Sequence, residues 1–502
     1  MHEGNGKRIA VIGAGLGGMS AALSLTLEGY EVTVFEKNEK VGGKLNVLAA
    51  EGYQFDLGPS ILTLPHLFER TFERAGKKMS DYVPLETVRP HWRNIFEDGK
   101  VVDLHPEMEK LKAEAAKVGE PPANVERFLK YSERLYDLVS RGYFEEGLDN
   151  SEDFRNYYGL AAFPKFDLFR SMHQGVKRHF KTRHFIDIFD YFIKYVGSSA
   201  LRAPAFMNCM STIQFRYDLW YVRGGLYGLA EGLERLMREL GIRIELNAEI
   251  HSLVKSDDGR TVRGVRMADG GEHLFDTVVS NMEVVPTYRR LLGADAKVLK
   301  RLEKRMEPAC SGLVIDIGLD RKFENLAHHN FFFAGNQKEH FRDVFQRRRL
   351  PRDPTLYVVA ASRTDPTVAP EGCDCVKILP HIPYIDTERP LTAEDYDAFK
   401  DRCLEKMERM GCADLRKHIV FEHVWTPHDI ERSYYSNRGS IYGVVSDRFK
   451  NLAFKAPKKC PDYEGLYFVG GSVNPGGGMP MVFLCGQNVA KAIAEADRQG
   501  VA

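Results

Sequence analysis

The sequence predicts an α/β fold, and three observations predict it. A short apolar strand near the amino terminus runs into a glycine-rich turn, a helix and a second strand ending in an acid. A helix, a strand and a hairpin follow one another through the middle of the chain. Near the carboxyl terminus another apolar strand runs into a second glycine-rich turn and helix. The chain has 502 residues, 43% hydrophobic and 28% charged, enough apolar content for a large core, which excludes disorder and a disulfide miniprotein. Lys+Arg 70 balance Asp+Glu 70, so no global positive field points to nucleic acid.

The first element is Ile9-Ala10-Val11-Ile12, a run suited to a buried parallel strand. Gly13-Ala14-Gly15-Leu16-Gly17-Gly18 follows, a G-x-G-x-x-G with a spare glycine. Each glycine has a physical task. Gly13 permits the tight turn, Gly15 lets the backbone approach a pyrophosphate, and Gly18 lets helix and strand pack closely. A helix from Met19 to Glu28, with Gly29 as its stop, would present free N–H groups to phosphates. The strand Glu31 to Glu36 then places the Glu36 carboxylate for ribose hydroxyls and against a 2′-phosphate. Strand, turn, helix, strand and terminal acid in that order predict dinucleotide binding.

Phe55-Asp56-Leu57-Gly58-Pro59-Ser60 is punctuated as a loop by Gly-Pro. Residues 105-214 carry apolar positions near helical spacing, such as Phe128, Tyr131, Leu135 and Leu138, and predict a helical insertion. Within it Phe169 to Phe185 interleaves basic residues with Phe and Met, a pattern that as one helix would dock on an anionic bilayer. Leu229, Leu233 and Leu236 mark a further helix face. Ile242 to Leu246 alternates like a strand, and Asp257-Asp258-Gly259 makes a hairpin turn. Residues 286-424 predict an α+β domain with strands at Leu313 to Leu319 and Leu356 to Ala360. At the carboxyl end, Leu466 to Val469 leads into Gly470-Gly471-Ser472-Val473-Asn474-Pro475-Gly476-Gly477-Gly478-Met479-Pro480 and a helix from about Met481, a second anion-stabilising site. The expected division is therefore 1-104, 215-285 and 425-502 as one discontinuous cofactor domain, 286-424 as a substrate domain, and 105-214 as an insertion facing a membrane.

The eight cysteines are scattered with no C-x-x-C pair, which predicts free thiols and neither zinc nor a disulfide framework. No metal site is expected. The chain shows no charged leader with an apolar stretch and no apolar run near the ~18 residues of a membrane span, which predicts a cytoplasmic protein resting on a membrane surface.

Two resemblances add to these readings. Glu36 followed by Val41-Gly42-Gly43-Lys44 resembles the signature of amine-oxidase-like, two-dinucleotide-binding flavoproteins of Rossmann type. That resemblance implies FAD rather than NAD. It implies that Gly43 and Lys44 pass close to the cofactor, that Gly58, Pro59 and Ser60 return toward the flavin, that Ile250 contacts the adenosine, and that Gly470, Gly471, Gly478 and Met479 meet the ring and ribityl chain. Across the whole chain the landmarks resemble the phytoene-desaturase-type carotenoid oxidoreductases, most of all their diaponeurosporene oxygenase branch. The stretch Gly470 to Met481, Leu57 to Thr63, Phe192 to Ser199, Ala327 to Phe333, Leu379 to Ile385 and Asn437 to Gly443 carry the likeness. Cys485 departs from it, standing where a small hydroxyl residue is expected.

The family resemblance implies oxidation of a terminal methyl group of an acyclic thirty-carbon carotenoid to an aldehyde, with molecular oxygen or a quinone as electron acceptor. The substrate would lie in a dry tunnel opening on a membrane. Polar residues beside an aromatic cluster suit a tunnel end, so His328 and His329 are the candidate catalytic residues and Phe331, Phe332, Trp425, Arg438 and Tyr442 the candidate lining. The rival readings are a desaturase of the same fold, an amine oxidase, and a prenyl-binding escort protein without catalysis.

Overall fold

The computed structural model describes residues 6–500. Five parallel strands form one sheet, in the order Leu466–Phe468, Thr277–Ser280, Arg8–Ile12, Glu31–Phe35, Arg243–Glu245. The two ends of the chain therefore lie one strand apart. Val278 is registered on Ala10 to one side and on Leu466 to the other. Ile9 to Ile12 are all buried, as a strand with both faces covered must be.

The helices of the two ends pack on one another. Leu16–Leu27 begins three residues before its sequence-predicted start and lies against Met479–Arg498. A Cβ on Gly486 would come 2.6 Å from the Ala21 nitrogen and 2.7 Å from the Gly17 carbonyl, so glycine sets this approach. Ser20 Oγ donates to the Phe483 carbonyl across the same seam at 2.5 Å.

A second, mixed sheet of eight strands is centred on Asp374–Ile382. It contains Val314–Leu319, Leu356–Ala360, His329–Phe332 and Ile419–Trp425. It also takes in Trp92–Ile95 and Val101–Leu104. These two strands fall inside the segment 1-104 expected to serve the cofactor, yet they belong to the second sheet: Trp92–Ile95 pairs with Asn330 to Phe332, and Val101–Leu104 pairs with Trp92–Ile95.

Residues 105–214 form helices, among them Pro122–Val139, Met172–Lys177, Arg183–Tyr191 and Cys209–Tyr217. The stretch Phe169 to Phe185 is not one amphipathic helix. A capping box at Ser171 starts one helix and Thr182 starts the next. Met172, Val176, Phe180 and Phe185 are core residues, and of its large apolar side chains Phe169 alone is exposed. The sequence pattern there recorded two buried faces rather than one lipid-facing stripe.

A glycine cradle opening on an apolar chamber

The cavity has a volume of about 380 Å³ and runs between the two sheets. One side is built by backbone. Gly13 has φ +91, as the turn after the first strand requires. A Cβ on Gly15 would stand 2.7 Å from Asn281 Nδ2, and one on Gly18 2.0 Å from the Gly13 carbonyl oxygen. Gly15 and Gly42 are bridged side by side, and Gly13, Gly15, Gly43 and Ile250 all face the cavity. Gly17 and Gly18 do not; they pack the helix against its neighbours.

Glu36 is buried at the cavity wall. Its carboxylate accepts the Ala14 N–H at 2.8 Å, the Asn38 N–H at 2.9 Å and the Asn38 amide at 2.8 Å. It is held where a ribose would sit, and its charge opposes a 2′-phosphate. Lys44 lines the cavity, but its ammonium is engaged by Glu283 at 3.1 Å and the Ser440 carbonyl at 2.8 Å. It ties the Gly-Gly loop to the opposite wall.

Gly58, Pro59 and Ser60 return to the cavity, as do Gly470, Gly471, Gly478 and Met479. The first loop is pinned from beneath by Lys377. Its ammonium donates to the Asp56 carbonyl at 2.8 Å, the Gly58 carbonyl at 2.6 Å and the Ser60 hydroxyl. Loss of water pushes the Asp56 carboxyl up to about 6, against the pull of Lys377 and of the Leu226 N–H. Neither helix that opens on the cavity, at Gly15 or at Gly478, has a side-chain cap. Two sets of free N–H groups thus point at one space.

The other side of the cavity is apolar. Phe144, Phe206, Met210 and Ile213 come from the helical segment, and Leu379 and Trp425 from the mixed sheet. Of the expected lining, Trp425 and Tyr442 are there. Phe331 lies one layer back, stacked on Tyr357 with centroids 5.0 Å apart. Phe332 points away, into the core beneath helix Ala393–Arg409, because neighbours on a strand face opposite sides. Arg438 is outside the cavity, near Tyr384 and Glu303.

His328 and His329 are buried but do not line the cavity. His328 Nδ1 lies 2.7 Å from Thr364 Oγ1, and His329 Nδ1 3.1 Å from the Tyr357 hydroxyl. Burial lowers the His328 imidazole to about 3 and His329 well below its ordinary value, so both are neutral. Cys485 is also off the cavity, and burial pushes its thiol up to about 12. Sequence reading missed Lys194, Tyr357 and Lys377. They sit in a helical turn and two strands, and although Lys194 lies in the stretch Phe192 to Ser199 that carries the family likeness, no spacing marked any of the three as a site residue; a lysine between apolar neighbours, as in Val376-Lys377-Ile378, was the available signal.

Backbone cradle, fixed acid and paired helix termini define a dinucleotide-binding protein. Residues 16–494 match the model of the flavin-containing amine oxidoreductases. The chain belongs to that family, and it is an FAD-dependent enzyme. It is 54% identical to a 4,4′-diapolycopene oxygenase of Methylomonas sp, over 98% of this chain and 99% of the relative. It is 46% identical to a 4,4′-diaponeurosporene oxygenase of Staphylococcus haemolyticus, over 97% of each. Among solved structures, a putrescine oxidase has a TM-score of 0.65 at 14% identity, covering 97% of this chain and 99% of that one. A Rab GDI from Plasmodium falciparum has a TM-score of 0.56 at 13% identity, covering 98% of each. Both share the fold.

Proposed function

We propose that the protein oxidises the terminal methyl group of an acyclic thirty-carbon carotenoid, 4,4′-diaponeurosporene or diapolycopene, to an aldehyde. The observation that carries this reading is the apolar chamber continuous with the cofactor cradle, in a chain about half identical to two oxygenases of such carotenoids along its whole length. FAD supplies a two-electron acceptor when bound. The residues that would hold it are Gly15, Glu36, Gly43, Gly58 to Ser60 and Gly470 to Met479. The chain's own contribution is position and dryness. Phe206, Leu379 and Trp425 exclude water from the polyene, Lys377 fixes the Gly58 loop, and Tyr442 stands at the junction of cradle and chamber. Molecular oxygen or a quinone takes the electrons onward.

The substrate is insoluble in water, so the reading includes a membrane surface. Among the described residues no helix is long and apolar enough to cross a membrane. Phe169, Phe449 and Leu452 are exposed at 89%, 66% and 59%. Arg202 and Arg448 flank the Phe449 ring, each 4.7 Å from its centroid. Ser446 and Ala453, next to these residues in sequence, are part of the cavity wall. Apolar tips ringed by arginine suit an anionic bilayer at the chamber's entrance.

Expression in cells that make 4,4′-diaponeurosporene tests the reading, with the pigment analysed by mass spectrometry. A gain of one oxygen with loss of two hydrogens is expected. Loss of hydrogens alone would make the enzyme a desaturase, and unchanged pigment would overturn a carotenoid substrate.

A further inference from the structure

We propose that Lys194 is the base for the second half of this oxidation, taking the hydroxyl proton as a terminal alcohol becomes the aldehyde. The inference rests on the proposed function, in which the methyl group is first oxidised to an alcohol.

Lys194 sits in the helical turn Phe192–Val196 and lines the cavity, with 5% of its surface exposed. Its ammonium nitrogen makes no hydrogen bond or ion pair with any described residue. It stands instead over four rings, with Nζ 4.1 Å from the centroid of Tyr357, 4.5 Å from Tyr195, 5.0 Å from Phe331 and 5.1 Å from Trp92. An amine buried without a polar partner is costly. Such a site is built for a polar group that arrives from outside, and in an apolar chamber that group is the oxygen on the substrate.

The position fits the reacting end. The Tyr195 carbonyl lies 3.4 Å from where a Cβ on Gly478 would stand, and Gly197 is packed on the Tyr442 ring. Lys194 therefore belongs to the junction of cradle and chamber. The charged and titratable groups around it are Lys377, His329 and His381, with the Tyr195 and Tyr357 hydroxyls; among the described residues no carboxylate faces it. Burial and the Lys377 charge hold the amine well below the ordinary lysine range. That shift favours the free amine, the form able to accept a proton from a group in the cavity.

The step balances. A C–H bond of the alcohol carbon breaks, and FAD held by the cradle would supply the two-electron acceptor for its electron pair. The O–H bond breaks, its pair closes the C=O bond, and the proton goes to Nζ. The methyl group offers no such proton, so hydride loss from the hydrocarbon does not need this amine, and the proton released when water adds to the resulting cation can pass to water.

The test compares wild-type holoenzyme with Lys194→Met, and with Lys194→Gln should the first variant lack flavin. Two probes are used, 4,4′-diaponeurosporene and its terminal alcohol. Binding is read by quenching of protein fluorescence without oxygen, and products by mass spectrometry. In the variant, aldehyde formation from the alcohol should fall roughly 100-fold, the low end for a general base. Consumption of the hydrocarbon should persist, alcohol should accumulate, and affinity should weaken for the alcohol but not for the hydrocarbon. In wild type, alcohol oxidation should be lost as pH falls through the amine's titration, and that dependence should vanish in the variant. Equal loss of both oxidations, or unchanged handling of the alcohol, would overturn the role of Lys194. Failure of wild type to bind or convert the hydrocarbon would overturn the carotenoid reading, and the inference with it.

Discussion

The cofactor cradle and the apolar chamber share one cavity but are built from different material. The cradle is backbone, and missing Cβ atoms at Gly15, Gly43 and Gly58 set its shape. The chamber is side chains, drawn from helices between 105 and 214 and from the mixed sheet. A surface made of backbone has no adjustable end. A wall of Phe, Met, Leu and Ile can be repacked at constant volume. The same scaffold could thus keep its cradle while its chamber is repacked.

The sharpest test of that contrast pairs two small substitutions. In Gly58→Ala the new Cβ would stand 1.7 Å from the Lys44 carbonyl oxygen, which has no flexible end to move. Loss of bound flavin and of roughly 3 kcal/mol of stability is expected, at the upper range for overpacking. Leu379→Met, which conserves volume in the chamber, should cost less than about 1.5 kcal/mol and leave flavin in place. Flavin absorbance and thermal midpoint of the purified proteins read both. Equal damage would erase the distinction.

Lys377 joins the two regions, since it reaches from the mixed sheet to the Gly58 loop. Lys377→Met leaves three acceptors and the Asp56 carboxylate without their cation, at a cost of about 3 kcal/mol. The sign with pH follows from Asp56. Its folded value, about 6, lies above the ordinary 3.8, so its contribution is full below about 4 and is lost as pH rises through about 6. Removing Lys377, which pulls that value down, should hurt more at pH above 6 than below 4. Denaturation midpoints across that range check it, and a pH-independent loss would place the effect in packing alone.

What could be read in the sequence follows the same line. Gly13 to Gly18, Glu36, Gly43 and Gly470 to Met479 were legible because a close backbone approach demands glycine at fixed spacing. The strands at Ile9 to Ile12 and Leu466 to Phe468 were legible because burial on both faces leaves a continuous apolar run. The chamber was not. Lys194 and Tyr357 are brought together by the packing of a helical turn on a strand far away in the chain, which leaves no local spacing. Phe331 and Phe332 looked equivalent side by side, and only strand alternation sends one toward Lys194 and the other into the core. Arg438 looked like lining because its motif neighbour Tyr442 is.

At the chamber's outer end the expected effect is smaller. Phe449→Ser with Leu452→Ser should weaken binding to anionic phospholipid vesicles about tenfold, or about 1.4 kcal/mol, by removing two exposed apolar contacts. Flavin content and soluble turnover should not change. Sedimentation with vesicles measures it. Binding equal to wild type would move the membrane face elsewhere.

The smallest effect separates the chamber's first layer from its second. His329 touches the cavity only through Tyr357, whose hydroxyl lies 3.1 Å from its Nδ1, and His328 is spent on Thr364. His329→Leu leaves one buried hydroxyl unpaired, worth about 1 kcal/mol. The ring of Tyr357 stays in place, stacked on Phe331 beneath Lys194. Turnover should therefore fall only severalfold, with flavin content intact, and His328→Ala should do no more. Steady-state rates on the alcohol-terminated substrate decide between layers. A loss as large as that of Lys194→Met would put an imidazole in contact with the reacting carbon, and the ring wall would then be a relay rather than a floor.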